Sequence, residues 1–340
     1  MERRGNLKVK VIGAGVIGLS TALRIQQILP HAKVTVLADK FGLETTSDGA
    51  AGIYRPTLSL MKGNDLNKVK RWCKDSWNRY DQLARSKEAR EAGLSTISGY
   101  HFYDEEYAKN YDFFYKDIVY QFRQCTPKEM SMFGNSQPCG VAYTTNLIEC
   151  RWYLPFLAKQ FTANGGKIVK RRLSSLSEVA DDSDIIVNCS GFGSRDLIGD
   201  KTMVPIRGQM IRAKAPWIKN FVFSGHTSWV IPGRETVIVG GTRQVNDTDF
   251  TIRAEDTDSL WENGVKLVPS LAGGQKEWVW VGFRPHRSPI RLERDTYKHG
   301  NKQIPLIHNY GHGGNGVSLS WGCAIEAAEL VANCVTESKL

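Results

Sequence analysis

Apolar and polar positions at the start of the chain alternate in a way that predicts a strand, a helix and a second strand. Residues 7–12 alternate lysine with leucine and valine, and the residues after Gly18 carry apolar side chains at helical spacing. Residues 33–37 predict the second strand. A further apolar run at 184–188 is typical of a buried strand in a parallel sheet. We therefore expect an α/β core.

Three glycines occupy the turn between the first strand and the helix. Gly13, Gly15 and Gly18 have the spacing G-x-G-x-x-G. Gly13 permits a tight turn, Gly15 lets the backbone approach a pyrophosphate, and Gly18 lets the helix pack against the strand. Asp39 follows the second strand, about 20 residues after the last glycine, where an acidic side chain meets ribose hydroxyls. This order predicts a bound dinucleotide, and these residues leave FAD and NAD both open.

Beyond the second strand the chain leaves the regular α/β pattern. Residues 45–52 are small and hydroxyl-rich, which suits a backbone that lies against a long cofactor. After Arg207 the alternation predicts strands at 210–213, 228–231, 236–239 and 278–283. A glycine-rich segment at 307–318 leads into a helix predicted from about 321 to 335. We expect this second glycine-rich loop to form another edge of the cofactor site.

The predicted cofactor domain is discontinuous, because its parts lie at the beginning, in the middle and at the end of the chain. We expect residues 1–55, 140–200 and 290–340 to form this domain. Residues 56–139 and 201–289 are expected to form a β-rich substrate-binding domain inserted between those parts. The expected fold class is α/β, with a Rossmann-like cofactor domain.

Composition narrows the class of protein only slightly. Apolar residues make up 41% of the chain and charged residues 24%, which argues against a disordered or collagen-like protein. The net charge of +10 allows nucleic acid, an anionic membrane surface or an acidic small molecule as a partner. No apolar stretch reaches the roughly 20 residues that a bilayer requires, so we expect no membrane span. We assign the basic residues of 67–89 to the exposed face of a helix.

The cysteines and the end of the chain bear on the cellular compartment. The seven cysteines are scattered and odd in number, without a C-x-x-C pair, so we expect unpaired thiols and no metal site. The chain ends in Ser338, Lys339 and Leu340, the signal that the peroxisomal import receptor binds. This ending predicts a peroxisomal location.

Several motifs together resemble the D-amino-acid oxidase and D-aspartate oxidase family of flavoproteins. The segments that carry the resemblance are 11–19, 45–52, 186–191, 206–209, 215–217, 239–242, 282–285, 290–292 and 308–313. The resemblance implies FAD as the cofactor and a discontinuous Rossmann-like FAD-binding domain with an inserted β-rich substrate domain. It also implies oxidative deamination, in which a D-amino acid and oxygen give a 2-oxo acid, ammonia and hydrogen peroxide.

The resemblance assigns roles to individual residues. Arg284 matches the arginine that binds the substrate α-carboxylate, which a guanidinium can hold through two hydrogen bonds. Gly314 matches a position whose backbone carbonyl meets the substrate amine, and Trp229 stands where a tyrosine usually helps to hold the α-carboxylate. The positions expected around FAD are Gly13, Gly15, Val16, Ile17, Gly18, Asp39, Lys40, Thr46, Ser47, Ala51, Gly52, Ile53, Gly313, Gly316, Val317 and Ser318.

Two further arginines bear on which side chain the substrate carries. Arg243 matches a position that tends to be apolar or aromatic in oxidases of neutral substrates and arginine in oxidases of acidic ones. Arg55 matches a pocket-lining position that is usually not basic, so a second carboxylate contact and a solvent-facing side chain both remain open. Phe223 takes the place of a second arginine of the acidic branch, and the loop 217–229 is expected to differ from the family pattern.

We therefore expect an oxidase of D-aspartate that also accepts D-glutamate. The alternative is a D-amino-acid oxidase of neutral or basic substrates. A flavin-binding protein without catalysis belongs to a different class, and the intact Arg284 argues against it. Nucleic-acid binding rests on net charge alone, since no recognised binding module is present.

Overall fold

The computed structural model describes residues 7–110, 113–134, 137–225 and 228–337. The described strands are β1 (Lys8–Ile12), β2 (Lys33–Ala38), β3 (Leu94–Tyr103), β4 (Tyr120–Gln124), β5 (Cys139–Ile148), β6 (Lys167–Lys170), β7 (Ile185–Asn188), β8 (Val204–Lys214), β9 (Phe221–Ser224), β10 (Ser228–Pro232), β11 (Val237–Gly240), β12 (Gln244–Val245), β13 (Gln275–His299) and β14 (Lys302–His312).

The described helices are α1 (Val16–Ile28), α2 (Leu66–Ala84), α3 (Ala89–Ala92), α4 (Glu105–Asn110), α5 (Pro127–Met130), α6 (Cys150–Ala163), α7 (Ser177–Ala180), α8 (Ser194–Leu197), α9 (Ala254–Leu267) and α10 (Gly316–Glu337). Short 3-10 turns lie at Gly42–Glu44, Leu58–Met61, Gly191–Gly193, Pro269–Gly273 and Gly313–Asn315. The last helix therefore begins earlier than the predicted start near residue 321.

One sheet contains these strands in the order β4–β5–β3–β9–β10–β11–β8–β13–β14–β7–β1–β2–β6, and β12 pairs with β8. The part from β14 to β6 is parallel, with Val9 opposite Val34 and Val11 opposite Val187. The strands predicted at 33–37 and 184–188 are β2 and β7, so the expected parallel core is confirmed.

Helices cover this parallel part because its strands are apolar on both faces. All four residues of β7 are buried, as are Val9 and Val11 of β1. The helices α1 and α10 pack against each other, and Asn309 Nδ2 of β14 donates a hydrogen bond to Thr21 Oγ1 of α1 at 3.1 Å. The two helices that begin at glycine-rich loops are thereby fixed side by side.

The other part of the sheet is mostly antiparallel. The strands predicted at 210–213, 228–231 and 278–283 lie within β8, β10 and β13, and the one predicted at 236–239 is β11, which begins one residue later, so these predictions are confirmed. The pairing of β3 with β9 is the parallel exception. A helix that sequence patterning did not predict, α9, packs on β8, β10 and β11.

The long strand β13 joins the two parts. Its first half pairs with β8 from Gln275 to His286, and its second half pairs with β14 from Arg291 to His299. Arg284 therefore lies near the point where the strand passes from one part of the sheet to the other. The domain boundaries given above stay a prediction.

Membrane spans and metal clusters are absent from the part of the chain that the structure describes. None of the described helices has the length and apolar character needed to cross a membrane. No cluster of histidine, cysteine, aspartate and glutamate in the described ranges could hold a metal ion. All seven cysteines carry free thiols, and burial raises the pKa of the Cys189 thiol to about 12.

Candidate active site

A large cavity opens between the glycine-rich loops of the parallel part and strands β8 and β13 of the antiparallel part. The space between its walls, including the part that is open to solvent, is about 1610 Å³. The predicted site residues that line it are Val16, Ile17, Thr46, Ser47, Ala51, Gly52, Ile53, Arg55, Trp229, Arg243, Arg284, Gly313, Gly314, Gly316, Val317 and Ser318. Residues that are far apart in the sequence thus come together.

The N-terminus of α1 forms one side of the cavity. Gly15 is the N-cap, and the Val16 backbone N–H donates to Ser47 Oγ at 3.0 Å. Gly18 packs so tightly that a Cβ there would lie 1.9 Å from the Gly13 carbonyl oxygen. Gly13 has a φ of +112°, a conformation that glycine adopts without strain. These glycines bring the helix N-terminus, with its partial positive charge, to the cavity.

The second glycine-rich loop and the segment after Thr46 form the adjoining side. Gly313 has a φ of +55°, and α10 begins at Gly316. Gly52 has a φ of +76°, and a Cβ there would lie 2.1 Å from the Ile148 carbonyl oxygen. Two helix N-termini and a run of small side chains therefore face the same space.

Five predicted cofactor residues lie outside the cavity lining: Gly13, Gly15, Gly18, Asp39 and Lys40. Asp39 and Lys40 are exposed directly after β2, next to the α1 side of the cavity. Lys40 Nζ lies 6.0 Å from the centre of the Phe250 ring. A cofactor that reaches from the cavity along the N-terminus of α1 to Asp39 must be long, and the residues present fit a dinucleotide.

Arg284 of β13 is the most distinctive charged group of the cavity. Its Nη1 donates to the Thr242 carbonyl at 3.0 Å and to the Arg207 carbonyl at 3.5 Å. Gly208 makes room for it, because a Cβ there would lie 2.4 Å from that nitrogen. Among the described residues no carboxylate lies within ion-pair distance of Arg284, so an anionic ligand could supply the missing countercharge.

Arg243 lies close to Arg284. It directly follows Thr242, whose carbonyl accepts a hydrogen bond from Arg284. Loss of solvation and the charge of Arg243 lower the pKa of Arg284 to about 10, which leaves it protonated at neutral pH. Thr242 is fixed to β8, since its Oγ1 accepts from Gln209 N at 2.7 Å and its N–H donates to Gln209 O at 3.1 Å. The charge of Arg243, after burial, also lowers the pKa of His286.

Aromatic side chains form the wall next to the arginines. Trp229 lies opposite Gly240 in the β10–β11 pair, where a Cβ would meet its ring at 2.4 Å. Phe223 of β9 pairs with Trp229, with 6.3 Å between the ring centres. The guanidinium carbon of Arg55 lies 4.4 Å from the centre of the Phe223 ring. Arg55 therefore belongs to the cavity wall.

Sequence reasoning missed the residues that support this wall. Arg207 is fully buried and bonds to the Gln244 side chain, to Asp256 Oδ2 at 2.9 Å and to two backbone carbonyls of the segment 249–251. Trp280 fills the space left by Gly49 and Gly282. Arg207, Gly208 and Gly282 all lie in segments that carried the family resemblance, but their roles depend on partners elsewhere in the chain.

The charged side chains that line the cavity are all positive. Three arginines line the cavity, and no aspartate or glutamate of the described chain does. Burial lowers the pKa of His312, which also lines the cavity, to about 3, so this imidazole is neutral at physiological pH. The arrangement favours anionic ligands and offers no carboxylate as a general base.

Comparisons with known proteins identify the family of the chain. A family model described as FAD dependent oxidoreductase matches residues 8–330. Human D-aspartate oxidase is 38% identical over 329 residues, covering 96% of this chain and 95% of the relative. A D-amino acid oxidase of Dugesia ryukyuensis is 34% identical over 341 residues, covering 98% of this chain and 100% of the relative.

Solved structures share the fold. Glycine oxidase from Geobacillus kaustophilus superimposes with a TM-score of 0.77 at 20% identity, covering 96% of this chain and 95% of that one. Iminodiacetate oxidase from Chelativorans gives a TM-score of 0.76 at 17% identity, with the same coverage of 96% and 95%. The chain belongs to the family of FAD-dependent oxidoreductases that includes the D-amino-acid and D-aspartate oxidases.

Proposed function

We propose that this enzyme deaminates acidic D-amino acids oxidatively, D-aspartate first and D-glutamate as well. The products would be a 2-oxo acid, ammonia and hydrogen peroxide. The observation that carries the proposal is a cavity lined by three arginines and, among the described residues, by no acidic side chain. A substrate with two carboxylates supplies the negative charge that such a lining lacks. The relatives named D-aspartate oxidase support the same conclusion.

Arg284 is proposed to bind the α-carboxylate. Two carbonyl oxygens fix its Nη1, so its orientation is set before the substrate arrives. A carboxylate beside it stabilises the protonated form of a guanidinium whose pKa is otherwise lowered. Holding the carboxylate in this way orients the α-carbon and its hydrogen, which is the main contribution of a binding residue to such a reaction.

Gly314 and Trp229 are proposed to complete the α-carbon site. A Cβ on Gly314 would lie 3.8 Å from Arg284 Cδ, so the glycine backbone stands directly beside the carboxylate-binding arginine. Its carbonyl can accept a hydrogen bond from the substrate amine. The indole N–H of Trp229 is a donor only, which suits a carboxylate oxygen.

The small side chains of the glycine-rich loops are proposed to hold FAD, with Asp39 at its ribose. FAD bound there would supply an acceptor for the hydride of the substrate α-carbon and a route for the electrons to oxygen. No carboxylate of the described lining can take the ammonium proton, and His312 is neutral with a pKa of about 3. The substrate amine therefore loses its proton to solvent before the carbon–hydrogen bond breaks.

Arg243 is proposed to bind the side-chain carboxylate. It lines the cavity and lies close enough to Arg284 to lower its pKa. A neutral side chain would leave this charge unpaired in a partly desolvated site, which costs free energy. The alternative, an oxidase of neutral or basic D-amino acids, is less favoured because a basic side chain would meet a second positive charge.

The proposed location is the peroxisome. Ser338, Lys339 and Leu340 match the peroxisomal import signal and lie outside the described residues. An enzyme that releases hydrogen peroxide fits that compartment. A fluorescent fusion that keeps these three residues at its carboxyl end would co-localise with a peroxisomal marker, and removal of Leu340 would disperse it.

Peroxide formation by the purified holoenzyme tests the proposed function. We expect higher kcat/KM for D-aspartate and D-glutamate than for D-alanine or D-arginine. Arg243→Met is expected to raise KM for D-aspartate about 10- to 100-fold, the loss typical of a charged hydrogen bond, and to leave KM for D-alanine nearly unchanged. Equal or faster oxidation of D-alanine by the unmodified enzyme would exclude the acidic preference.

A further inference from the structure

A wide bulge interrupts the pairing of β13 with β14 beside the cavity. His286 lies opposite His312 and Arg291 lies opposite Tyr310, so the residues between His286 and Arg291 on β13 face only Gly311. Gly311 lines the cavity. The backbone ladder is locally disrupted at such a bulge, so contacts between side chains decide how the two strands lie there.

Asp200 connects the two strands at this bulge. One of its oxygens, Oδ2, accepts from Arg287 Nε of β13 at 3.0 Å and from Tyr310 OH of β14 at 2.6 Å. Arg287 Nη1 also donates to Pro289 O at 2.6 Å, within the bulge. A Cβ on Gly311 would lie 2.6 Å from Arg287 Cβ, so Arg287 packs directly over β14. A single carboxylate thus holds both strands.

The carboxylate of Asp200 is itself fixed and ionised. Its other oxygen, Oδ1, accepts from Thr202 N at 3.0 Å and from Thr202 Oγ1 at 2.5 Å. Loss of solvation raises the pKa of Asp200, but hydrogen bonds from Thr202 and Tyr310 outweigh this effect and lower it to about 2. Burial and the hydrogen bond to Asp200 raise the pKa of Tyr310 to about 12, so its hydroxyl keeps the proton that it donates. Four donors therefore face the two oxygens of Asp200.

The bulge lies next to the residues proposed to form the α-carbon site. Arg284 precedes Arg287 by three residues on β13, and Gly314 follows Tyr310 of β14 by four residues. The two approach each other closely, because a Cβ on Gly314 would lie 3.8 Å from Arg284 Cδ. A change in the way β13 and β14 lie at the bulge would therefore move Arg284 relative to the Gly314 carbonyl.

We propose that Asp200 is a positioning residue for the α-carbon site, because it holds β13 and β14 so that Arg284 and the Gly314 carbonyl meet one substrate molecule. The inference rests on the proposed function, in which Arg284 binds the α-carboxylate and Gly314 binds the amine. Asp200 does not line the cavity, so it acts through Arg287 and Tyr310. Displacement of a binding group by about 1 Å can lower the rate of a reaction about 100-fold.

The rate of flavin reduction tests the proposal directly. Rapid mixing of the holoenzyme with D-aspartate in the absence of oxygen measures this rate. We expect Asp200→Asn to lower the rate constant about 10- to 100-fold, because the amide offers a single acceptor oxygen to four donors. D-alanine should be affected by the same factor, since both substrates share the α-carbon site.

Glu293→Gln is the matched control. Glu293 accepts a hydrogen bond from Arg291 Nε at 2.6 Å on the same strand β13, but its side chain is 56% exposed and it does not line the cavity. The rate of flavin reduction should be unchanged in this variant.

A ligand with a carboxylate and no amine separates positioning from a general loss of structure. Perturbation of the flavin absorbance by propionate gives a dissociation constant without turnover. Propionate requires Arg284 alone, so we expect Asp200→Asn to leave its dissociation constant unchanged. The flavin-to-protein absorbance ratio should also stay that of the unmodified enzyme.

Tyr310→Phe is a milder variant, since it removes one hydroxyl group and keeps the ring. We expect it to lower the rate of flavin reduction about 3- to 10-fold, because Arg287 still bonds to Asp200. The double variant, Asp200→Asn with Tyr310→Phe, should be no slower than Asp200→Asn alone, because both changes remove the same contact.

Two results would overturn the inference. An unchanged rate of flavin reduction in Asp200→Asn would show that Arg284 and Gly314 are placed without this contact. Parallel losses of propionate binding and of bound flavin would assign Asp200 to the stability of the fold. Failure of the proposed acidic preference is distinguishable from both, because an unmodified enzyme that prefers D-alanine would still be slowed by Asp200→Asn.

Discussion

The two sides of the cavity recognise their ligands in different ways. The cofactor side consists of glycines, small side chains and two helix N-termini, and it presents backbone N–H groups. The proposed substrate side consists of Arg55, Arg243 and Arg284 and of large aromatic rings on β9, β10 and β13. Binding through backbone N–H groups requires glycine or small residues at a few positions that are close together in the sequence. Recognition through side chains demands that distant residues converge.

This difference predicts that damage on one side leaves the other side working. A substitution on the substrate side should change kinetics without loss of flavin. A substitution on the cofactor side should release flavin without changing the ratio between substrates. Three variants examine this separation, in order of decreasing expected effect.

Arg284→Gln should have the largest effect. Removal of the charge would deprive the α-carboxylate of its proposed partner in a partly desolvated site, so we expect kcat/KM to fall about 100- to 1,000-fold for D-aspartate and D-alanine alike. The flavin-to-protein ratio should match that of the unmodified enzyme. Steady-state peroxide formation and the visible absorbance spectrum measure both. Loss of bound flavin would contradict the expectation that a substitution on the substrate side leaves cofactor binding unchanged.

Gly18→Ala should have the next largest effect, and on the cofactor side. The added Cβ would lie 1.9 Å from the Gly13 carbonyl oxygen, so α1 must shift away from its turn. Overpacking of this kind costs about 1–3 kcal/mol, and we expect weaker FAD binding and a lower Tm that added FAD partly restores.

Gly273→Ala is the control for this variant, because a Cβ there would meet the Trp217 ring at an ordinary 3.6 Å. Thermal unfolding with and without added FAD distinguishes the two glycines. The fraction of Gly18→Ala that retains flavin should keep the substrate ratio of the unmodified enzyme. A changed ratio would mean that the cofactor side also selects substrates.

Asp48→Asn should have the smallest effect. Asp48 is buried beneath the loop that carries Thr46 and Ser47, and its carboxylate lies 3.6 Å from Arg151 Nη2. Arg151 also stacks on Trp278 at 4.9 Å, so it keeps one contact after the substitution. We expect the dissociation constant of FAD to rise about 3- to 10-fold.

Asp258→Asn is the matched control for that variant. It has the same ion-pair distance of 3.6 Å, to Lys276 Nζ, but it lies on the exposed surface where an ion pair contributes little. Fluorescence of released flavin during dilution measures the dissociation constant. If both variants bind FAD equally well, Asp48 does not support the cofactor loop.

The strands and helices nearest the glycine motif were predictable because their signals are local. Alternation and glycine spacing identify β1, α1 and β2 within a short segment. The long strand β13 was predicted only over 278–283, since charged residues from Glu293 to Lys298 obscure the alternation that its pairing with β14 enforces. The helix α9 was missed although its buried residues Leu260, Gly264 and Leu267 have helical spacing. The early start of α10 was missed because glycines precede its apolar positions.

The arginines of the site were found through family resemblance and not through local pattern. Nothing in the residues around Arg243 or Arg55 indicates that they line one cavity. Their convergence depends on β9 pairing with β10 and on the anchoring of the segment at Arg55 to Ser318. The supporting Arg207 was missed because its partner Asp256 lies on α9, far along the chain.

The β–α–β unit, the dinucleotide turn and the charge of the candidate residues could be inferred from the amino-acid sequence. These features follow from spacing and residue type within a few turns of chain, where sterics at glycine leave little choice. The lack of a carboxylate neighbour for Arg284 in the described chain and the stacking of Arg55 on Phe223 became visible only in the folded protein. Electrostatic free energies depend on distance and burial, and both arise when remote segments of the sheet are brought together.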